Sequence, residues 1–280
     1  MALEVEKITQ DNFIEYEEYF CPDKAENMVR RNCHGLALRK SGGKKCEAAL
    51  LWEVNGAEAE IMDFYMEDKG AFKEALTEYG KEASQEGVTN TIVKIPVGSD
   101  ISVLEAFKEA GFQLQEEKSS EVIMQIDELN KSPLALKRMN MENIAPVGSL
   151  SIQQFRRIIS NCMACKKPGH MDDLMWLPAD WFEPDLSCCI LTEEGAKGVF
   201  LVHKTVSEKL EVQLMQGFAQ ALPQDILKMI QYAMISGGEN YASETQIVIN
   251  CCDVDTEALV EKLFHKVADT KVIVGRRIEK

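Results

Sequence analysis

The chain has 280 residues, a formal net charge of −15 and an isoelectric point near 4.8. An acidic surface of this kind repels the phosphate backbone, and no basic stripe with interleaved aromatic residues opposes that repulsion. Membrane surfaces are disfavoured for the same reason. Composition therefore excludes nucleic acid as a partner and argues against a membrane partner.

Composition is also that of a chain able to bury a substantial core, with 45% hydrophobic and 28% charged residues. No segment approaches the roughly 20 consecutive apolar residues that cross a bilayer. The polar, acidic N-terminus does not resemble a signal peptide. The nine cysteines are scattered, and the pairs Cys188-Cys189 and Cys251-Cys252 sit in apolar segments, where they behave as small hydrophobic residues. We expect a cytoplasmic protein without a disulfide framework.

The first half of the chain shows a strand, a helix, a strand and a helix in that order. Apolar residues alternate in Glu58–Met66, which predicts a strand, and Thr91–Pro96 is a second, β-branched strand. The second helix stops at Gly111. One face of the first helix carries apolar residues at helical spacing, namely Phe72, Ala75, Leu76, Tyr79 and Ala83.

The second half repeats this order. Lys209–Met215 reads as a strand, and Pro223 opens a helix that we expect to end before Gly237-Gly238. Gln246–Cys252 is the next strand, and a helix follows with Ala258, Leu259 and Leu263 on one side.

A candidate hairpin precedes each of these blocks. Its turn lies at Ser41–Lys44 in the first half and at Glu193–Gly195 in the second. Periodicity lapses at Asp127–Pro133, which predicts a linker there. We therefore predict two consecutive domains, residues 1–130 and 134–280. One continuous α/β domain with accidental internal similarity is the alternative.

Two segments resemble a known family. Leu104–Ile126 is similar to the helix, Gly-Phe pair and terminal β-hairpin that close the Gcn5-related N-acetyltransferase (GNAT) fold. Trp181–Lys204 is similar to the central hairpin of the same family. The resemblance implies an α/β fold class with mixed sheets, built as two tandem GNAT-like domains. It also implies acetyl-CoA as co-substrate and a small-molecule amine as acceptor.

The family binds the cofactor pyrophosphate at a helix start with the pattern Arg/Gln-x-x-Gly-x-Gly/Ala, where free backbone N–H groups face the phosphates. The first half offers Glu67–Phe72, which keeps one glycine and adds a lysine but places two carboxylates beside the site. The second half offers a partial match in Gln216–Ala221. We assign the cofactor to the first half. The resemblance implies these cofactor-binding residues: Phe64, Tyr65, Lys69, Gly70 and Ala71.

Acetyl transfer also needs a base that deprotonates the acceptor ammonium, commonly a carboxylate on the central strand. The first half has Glu58, Glu60 and Asp63 there, and the second half has Glu211. Regular alternation would put Glu58 and Glu60 on one face and Asp63 on the other. We choose Glu60 as the catalytic base, and an exposed, solvated carboxylate is the alternative interpretation.

Many members of the family carry a tyrosine, four residues before the closing glycine, that protonates the leaving thiolate. That position is Phe107 in the first half, and Leu259 is its counterpart in the second. Neither side chain can donate a proton. This departure from the pattern supports a second hypothesis, a catalytically decayed GNAT-like protein that serves as a ligand-binding or assembly module.

Two cysteine-containing motifs suggest other sites. Cys162, Cys165 and His170 have the spacing of a zinc knuckle, but its fourth ligand would fall at Met175, a poor zinc ligand, with Asp172 or Asp173 as the substitutes. An ordinary loop is therefore favoured and no metal is predicted. The adjacent pair Cys33-His34 would point to opposite faces of a strand and cannot form a dyad. The leading prediction is an acetyl-CoA-dependent N-acetyltransferase for a small amine, with a homodimer as a further expectation.

Overall fold

A computed structural model describes residues 3–43, 45–164, 176–251 and 254–279. These residues form two compact units. Unit 1 contains the described residues up to Lys118 together with those from Thr270 onwards, and unit 2 contains those of Ser119–Asp269.

Unit 1 is a mixed sheet with helices on both faces. Its strand order is β1-β2-β3-β4-β5-β13-β6, and β4 and β5 run parallel. The elements are β1 (Leu3–Ile8), α1 (Pro22–Ala25), β2 (Cys33–Lys40), β3 (Cys46–Asn55), β4 (Glu58–Met66), α2 (Lys69–Gln85), β5 (Asn90–Pro96), α3 (Ile101–Glu109), β6 (Gln113–Lys118) and β13 (Lys271–Ile278).

Unit 2 repeats this plan with the sheet order β7-β12-β11-β10-β9-β8, in which β11 and β12 are parallel. Its elements are β7 (Glu121–Gln125), α4 (Ile126–Asn130), β8 (Ile144–Pro146), α5 (Ile152–Ala164), β9 (Cys188–Thr192), β10 (Gly195–Lys204), β11 (Leu210–Gly217), α6 (Pro223–Asn240), β12 (Gln246–Asn250), α7 (Val254–Phe264).

The strands that close the two sheets are exchanged between the halves of the chain. The C-terminal strand β13 lies between β5 and β6 in the first sheet, whereas β7 pairs with β12 in the second. The expected closing hairpin within Leu104–Ile126 is therefore replaced by two strands that enter different sheets. The division at 1–130 and 134–280 changes accordingly, to a crossing after Lys118 and a return at Thr270.

Charge complementarity explains why β6 pairs with β13. The strand β6 is acidic and β13 is basic, so two cross-strand ion pairs form between them, Arg276 with Glu117 and Lys271 with Glu116. Opposite charges across neighbouring strands stabilise a sheet, and β7 offers no basic residue to β6. The resemblance of Leu104–Ile126 to a closing hairpin concerns only strands that are adjacent in sequence. It could not reveal that β6 pairs with the distant strand β13.

The helix α2 covers one face of the first sheet because its apolar stripe is buried there. Phe72, Leu76 and Tyr79 are fully buried against Leu50 and Trp52 of β3. A second cluster lies on the opposite face, below the segment that includes α1. The predicted stripe of α2 is confirmed residue by residue.

A buried ion pair fixes β13 beneath α2. The Arg277 guanidinium donates to the Glu279 carboxylate at 2.8 Å, and the two side chains are only 12% and 6% exposed. Glu279 also accepts a hydrogen bond from Thr91, whose hydroxyl contacts Tyr79 Oη at 2.7 Å. A Cβ at Gly80 would lie 3.1 Å from the guanidinium, so a glycine at this position of α2 gives Arg277 its room.

The helix α6 is longer than the sequence indicates. It continues through Gly237 and Gly238 to Asn240, where an end before the glycine pair was expected. A Cβ at Gly237 would lie 3.0 Å from Ile126 Cδ1, and one at Gly238 would lie 3.0 Å from the Asn130 amide. These glycines allow α6 to pack closely on α4 and do not terminate the helix.

Replacing Arg277 with Met should lower the free energy of unfolding by about 3–5 kcal/mol, because the buried Glu279 carboxylate loses its partner. Urea unfolding of the full chain measures the change. Arg276→Met is the matched control, since its half-exposed pair with Glu117 should contribute less than about 1 kcal/mol. Equal losses in the two variants would contradict a special role for the buried pair.

Candidate functional site

The parallel strands β4 and β5 separate part of the way along their length. They pair from Glu58–Asn90 to Ile61–Val93, after which β4 continues to pair with β3 and β5 with β13. We call the gap between the diverging segments, Met62–Met66 and Lys94–Pro96, the unit 1 wedge. It opens at the carboxyl ends of parallel strands, where ligands commonly bind in α/β sheets. In unit 2, β11 and β12 pair only over Leu210–Val212 and Ile247–Ile249.

A β-bulge at the start of the unit 1 wedge changes which face Asp63 occupies. Ile61 lies opposite Trp52 and Asp63 lies opposite Leu51, so Met62 is the extra residue on β4. Asp63 therefore shares a face with Glu60 and Tyr65, where regular alternation had placed it on the other side. A bulge is not visible in the alternation of apolar residues, and this is why the sequence assigned the wrong face.

Asp63 is held by two backbone N–H groups. Its two carboxylate oxygens accept from Cys21 N at 2.6 Å and from Phe64 N at 2.8 Å. Burial raises the pKa of Asp63 above its ordinary value, and these hydrogen bonds and Lys24 oppose the rise only in part. A carboxylate with a raised pKa at the edge of a gap is suited to accept a proton.

Glu60, the predicted base, lies before the wedge, where β4 is still paired with β5. Its carboxylate forms an ion pair with Lys94 at 3.0 Å, and both side chains are about one-third exposed. The lysine must be displaced before Glu60 can accept a proton from a ligand. Glu60 and Asp63 are thus two candidate bases on one face, and Asp63 is the one nearer the wedge.

The N-terminus of α2 follows the wedge directly. Asp68 caps the helix, and its carboxylate accepts from Ala71 N at 2.8 Å. A Cβ at Gly70 would meet only Asp68 Oδ1 within 4 Å, so the first turn is open beside this glycine. The first turn of α2, the predicted pyrophosphate site, therefore has room for a phosphate. The Asp68 carboxylate, however, already accepts from one of its N–H donors.

Lys69 forms ion pairs with α3 and is therefore not a free cation at the start of α2. It pairs with Glu105 at 2.6 Å and with Glu109 at 3.3 Å, both on α3. Such partly exposed pairs contribute little and can exchange for another anion.

Phe64 and Tyr65 point to opposite faces of β4. Phe64 packs against Phe72 and Phe107 with ring centroids 5.7 and 5.3 Å apart. The Tyr65 ring lies tilted against that of Tyr19, with ring centroids 4.8 Å apart, and its hydroxyl donates to Glu67 at 2.9 Å. Of the predicted cofactor residues, the structure brings Phe64, Tyr65 and the first turn of α2 to one border of the wedge.

Phe107, at the position expected for the acid, is fully buried in an aromatic cluster with Phe64, Phe72 and Phe112. Phe107 is therefore a packing residue of the core. Leu259 of α7 likewise packs against the apolar core of unit 2. Neither unit supplies a hydroxyl from this position.

Unit 2 lacks a carboxylate equivalent to Asp63. Its β-bulge lies between Val212 and Leu214, so Leu214 occupies the corresponding position. At the start of α6, the Asp225 carboxylate accepts from Leu222 N at 2.9 Å and is buried. A cavity of about 50 Å³ between its sheet, α6 and α7 is lined by apolar side chains alone. Proton transfer is therefore better supported in unit 1.

The structure also bears on the zinc-knuckle spacing and on membrane-spanning helices. Cys162 is buried in α5, whereas Cys165, His170 and Met175 lie outside the described residues. In the described ranges, no three His, Cys, Asp or Glu side chains are placed to share a metal ion. Within the same ranges, no helix has the length and apolar character of a membrane span.

Comparison with known proteins gives matches in structure alone. No protein-family model and no curated protein matches the sequence. A tandem GNAT protein from the clavulanic acid biosynthesis pathway aligns over 100% of this chain and 99% of its own, with a TM-score of 0.66 and 8% identity. A probable N-acyltransferase from Enterococcus faecalis aligns over 100% and 73%, with a TM-score of 0.57 and 12% identity. A putative acetyltransferase from Pyrococcus horikoshii aligns over 99% and 90%, with a TM-score of 0.58 and 12% identity.

These alignments span both units. The chain therefore has a tandem GNAT fold, and the prediction of this fold class is confirmed. At such low sequence identity the likeness establishes architecture, and the site must be argued from the residues of this chain.

The Asp63 carboxyl should titrate above the ordinary aspartate range, because burial disfavours its charged form. Carbon-13 NMR of the side-chain carboxyls measures the midpoint. Asp100 is the internal control, since hydrogen bonds from Ser102 lower its pKa. A midpoint for Asp63 at or below that of Asp100 would contradict the assigned environment.

Proposed function

We propose that this protein is an acetyl-CoA-dependent N-acetyltransferase that acts on a small amine, with the transfer site in unit 1. The observation that carries the proposal is the position of Asp63, a carboxylate with a raised pKa on the β-bulge where β4 and β5 diverge. The tandem GNAT protein and the putative acetyltransferase that align over almost all of this chain support it as analogues of fold.

Each border of the wedge has a separate task in this proposal. Backbone N–H groups at the first turn of α2, around Lys69, Gly70 and Ala71, hold the pyrophosphate through their partial positive charge. Acetyl-CoA supplies a thioester to the gap between the strands. Beyond Ile61, β4 has no partner strand on the β5 side, and its backbone N–H groups other than that of Phe64, which donates to Asp63, polarise the carbonyl.

Asp63 accepts the proton of the acceptor ammonium, so that the neutral amine can attack the thioester carbonyl. Its raised pKa reduces the mismatch with an ammonium group and favours this transfer. The thiolate that leaves takes its proton from water, because Phe107 cannot donate one. A thiol pKa near 8.5 makes the thiolate a tolerable leaving group, so this step carries only a moderate penalty.

Replacing Asp63 with Asn should lower the rate of acetyl transfer by about 10²–10⁴-fold and remove the fall in rate at low pH, because the titrating base is lost. Release of CoA across a panel of amines at several pH values measures both. Glu60→Gln should leave the acid limb in place if Asp63 is the base, and a reversal of the two results would make Glu60 the base, as the sequence predicted.

Glu58→Gln is the matched control on the same strand, because Glu58 is exposed and lies before the wedge. Its rate should stay within about twofold of the wild type. If no amine gives CoA release above background at any pH, catalysis by this chain is wrong and a ligand-binding or assembly module takes its place.

Binding at the α2 start is tested by three substitutions that change charge or space. Gly70→Val should weaken CoA binding by blocking close approach, whereas Glu67→Gln should strengthen it by removing a repulsive carboxylate. Asp68→Asn should also strengthen it while keeping an N-cap acceptor for the helix. Isothermal titration with CoA measures all three, and unchanged affinity throughout would move the site to Gln216–Ala221.

A further inference from the structure

The space between the sheet and its covering helices is filled differently in the two units. The β-bulges of β4 and β11 align the strands, because just before each bulge Ile61 lies opposite Trp52 and Val212 lies opposite Val202. Trp52 and Val202 are therefore equivalent residues. Three more aromatic side chains of unit 1 have smaller counterparts at matching strand and helix positions, which gives the pairs Phe64/Met215, Tyr79/Ala233 and Phe107/Leu259.

In unit 1 the aromatic rings pack on one another and fill this space. Trp52 meets Tyr79 edge to face with ring centroids 5.1 Å apart, and Phe64 meets Phe107 in the same way at 5.3 Å. In unit 2 the four smaller counterparts all line the cavity of about 50 Å³ between the sheet, α6 and α7. The cavity therefore follows from smaller residues at four equivalent positions.

The chemistry of the cavity is uniform, because every residue that lines it is apolar. Water inside such a space finds no hydrogen-bond partner, so an apolar cavity stays dry. The side chains around it forgo the dispersion contacts that a filled space would provide. A bound apolar group would restore these contacts, whereas a polar or charged group would be buried without a partner.

The helix α7 leaves one side of the cavity close to solvent. Of the residues described in α7, only Val260 is buried. Leu259, Leu263 and Phe264 line the cavity and are half-buried, whereas Phe107, the counterpart of Leu259, is fully buried in unit 1. A ligand can therefore reach the cavity along α7.

We propose that unit 2 binds the end of a short unbranched alkyl chain in this cavity. A dry cavity of about 150 Å³ holds benzene, and this one has a third of that volume. It has room for about two chain carbons, if each needs the ~30 Å³ of a water molecule. The next methylenes pack on Leu259 and Leu263, and the polar end of the molecule stays in solvent. Unit 2 is then a ligand-binding unit, and the proposal does not depend on acetyl transfer in unit 1.

The test is isothermal titration of the full chain with 1-butanol, 1-pentanol and 1-hexanol, with 1,6-hexanediol as the polar comparison. Affinity should rise about fourfold for each added methylene, because each one leaves water. The diol should bind at least about tenfold more weakly than 1-hexanol, because one of its hydroxyls would be buried without a partner.

Carbon-13 NMR of the methionine methyl groups locates the bound alcohol. Met215 and Met234 line the cavity, so their signals should shift as 1-hexanol is added. Met66 packs in the corresponding core of unit 1 and does not line the cavity, so its signal should stay in place.

Two substitutions change the cavity in opposite directions. Ala233→Phe fills it and should weaken 1-hexanol binding by at least about tenfold, whereas Met215→Ala enlarges it and should tighten binding severalfold. Ala258→Phe is the matched control, because Ala258 is exposed on α7 and does not line the cavity. Its affinity for 1-hexanol should stay within about twofold of the wild type.

Four results would overturn the proposal: no saturable binding of 1-hexanol, equal affinity for the diol, a shift at Met66 without one at Met215, or equal weakening by Ala233→Phe and Ala258→Phe. Thermal unfolding of each variant checks that it is folded. If Ala233→Phe does not fold, Met215→Ala decides, and weaker binding by that variant would contradict the cavity as the site.

Discussion

The insertion of β13 between β5 and β6 is the constraint on which unit 1 depends. Without β13, β6 has no partner in the described sheet, and β5 has an open edge beside the wedge. The buried Arg277–Glu279 pair holds the strand, and Gly80 gives it space beneath α2. The last residues of the chain thus complete the sheet that carries the candidate site, and the wedge borders keep their positions because β5 pairs with β13 up to Pro96.

Local sequence patterns predicted most of the helices and strands. Each of these elements has its own apolar periodicity, or a glycine or proline that marks one of its ends. The span Glu58–Met66 is the strand β4, the apolar stripe from Phe72 to Ala83 is buried in α2, and Gly111 follows α3 with a φ of +91°. Pairing between distant strands has no such local signal. The resemblance of Leu104–Ile126 to the family's closing segment predicted a hairpin of β6 and β7, and only the acidic and basic sequences of β6 and β13 indicated the exchange.

The candidate site was predictable in kind but not in detail. The sequence located the acidic strand and the glycine at the start of α2, because residue types alone carry that information. It could not locate the bulge at Met62, which moves Asp63 to the face of Glu60, since a bulge depends on pairing with β3. It also could not show that Lys69 pairs with Glu105 or that Asp68 caps α2, because both contacts are set by the folded helices.

The distribution of charge along α2 bears on the candidate site of unit 1. Its N-terminus attracts anions, but Glu67 and Asp68 oppose that attraction, and its C-terminal half carries a row of carboxylates against the helix dipole. Asp68 stabilises the helix start as its N-cap, whereas the carboxylates of the C-terminal half oppose the helix dipole. A polyanionic ligand at the first turn would have to displace the Asp68 carboxylate from Ala71 N.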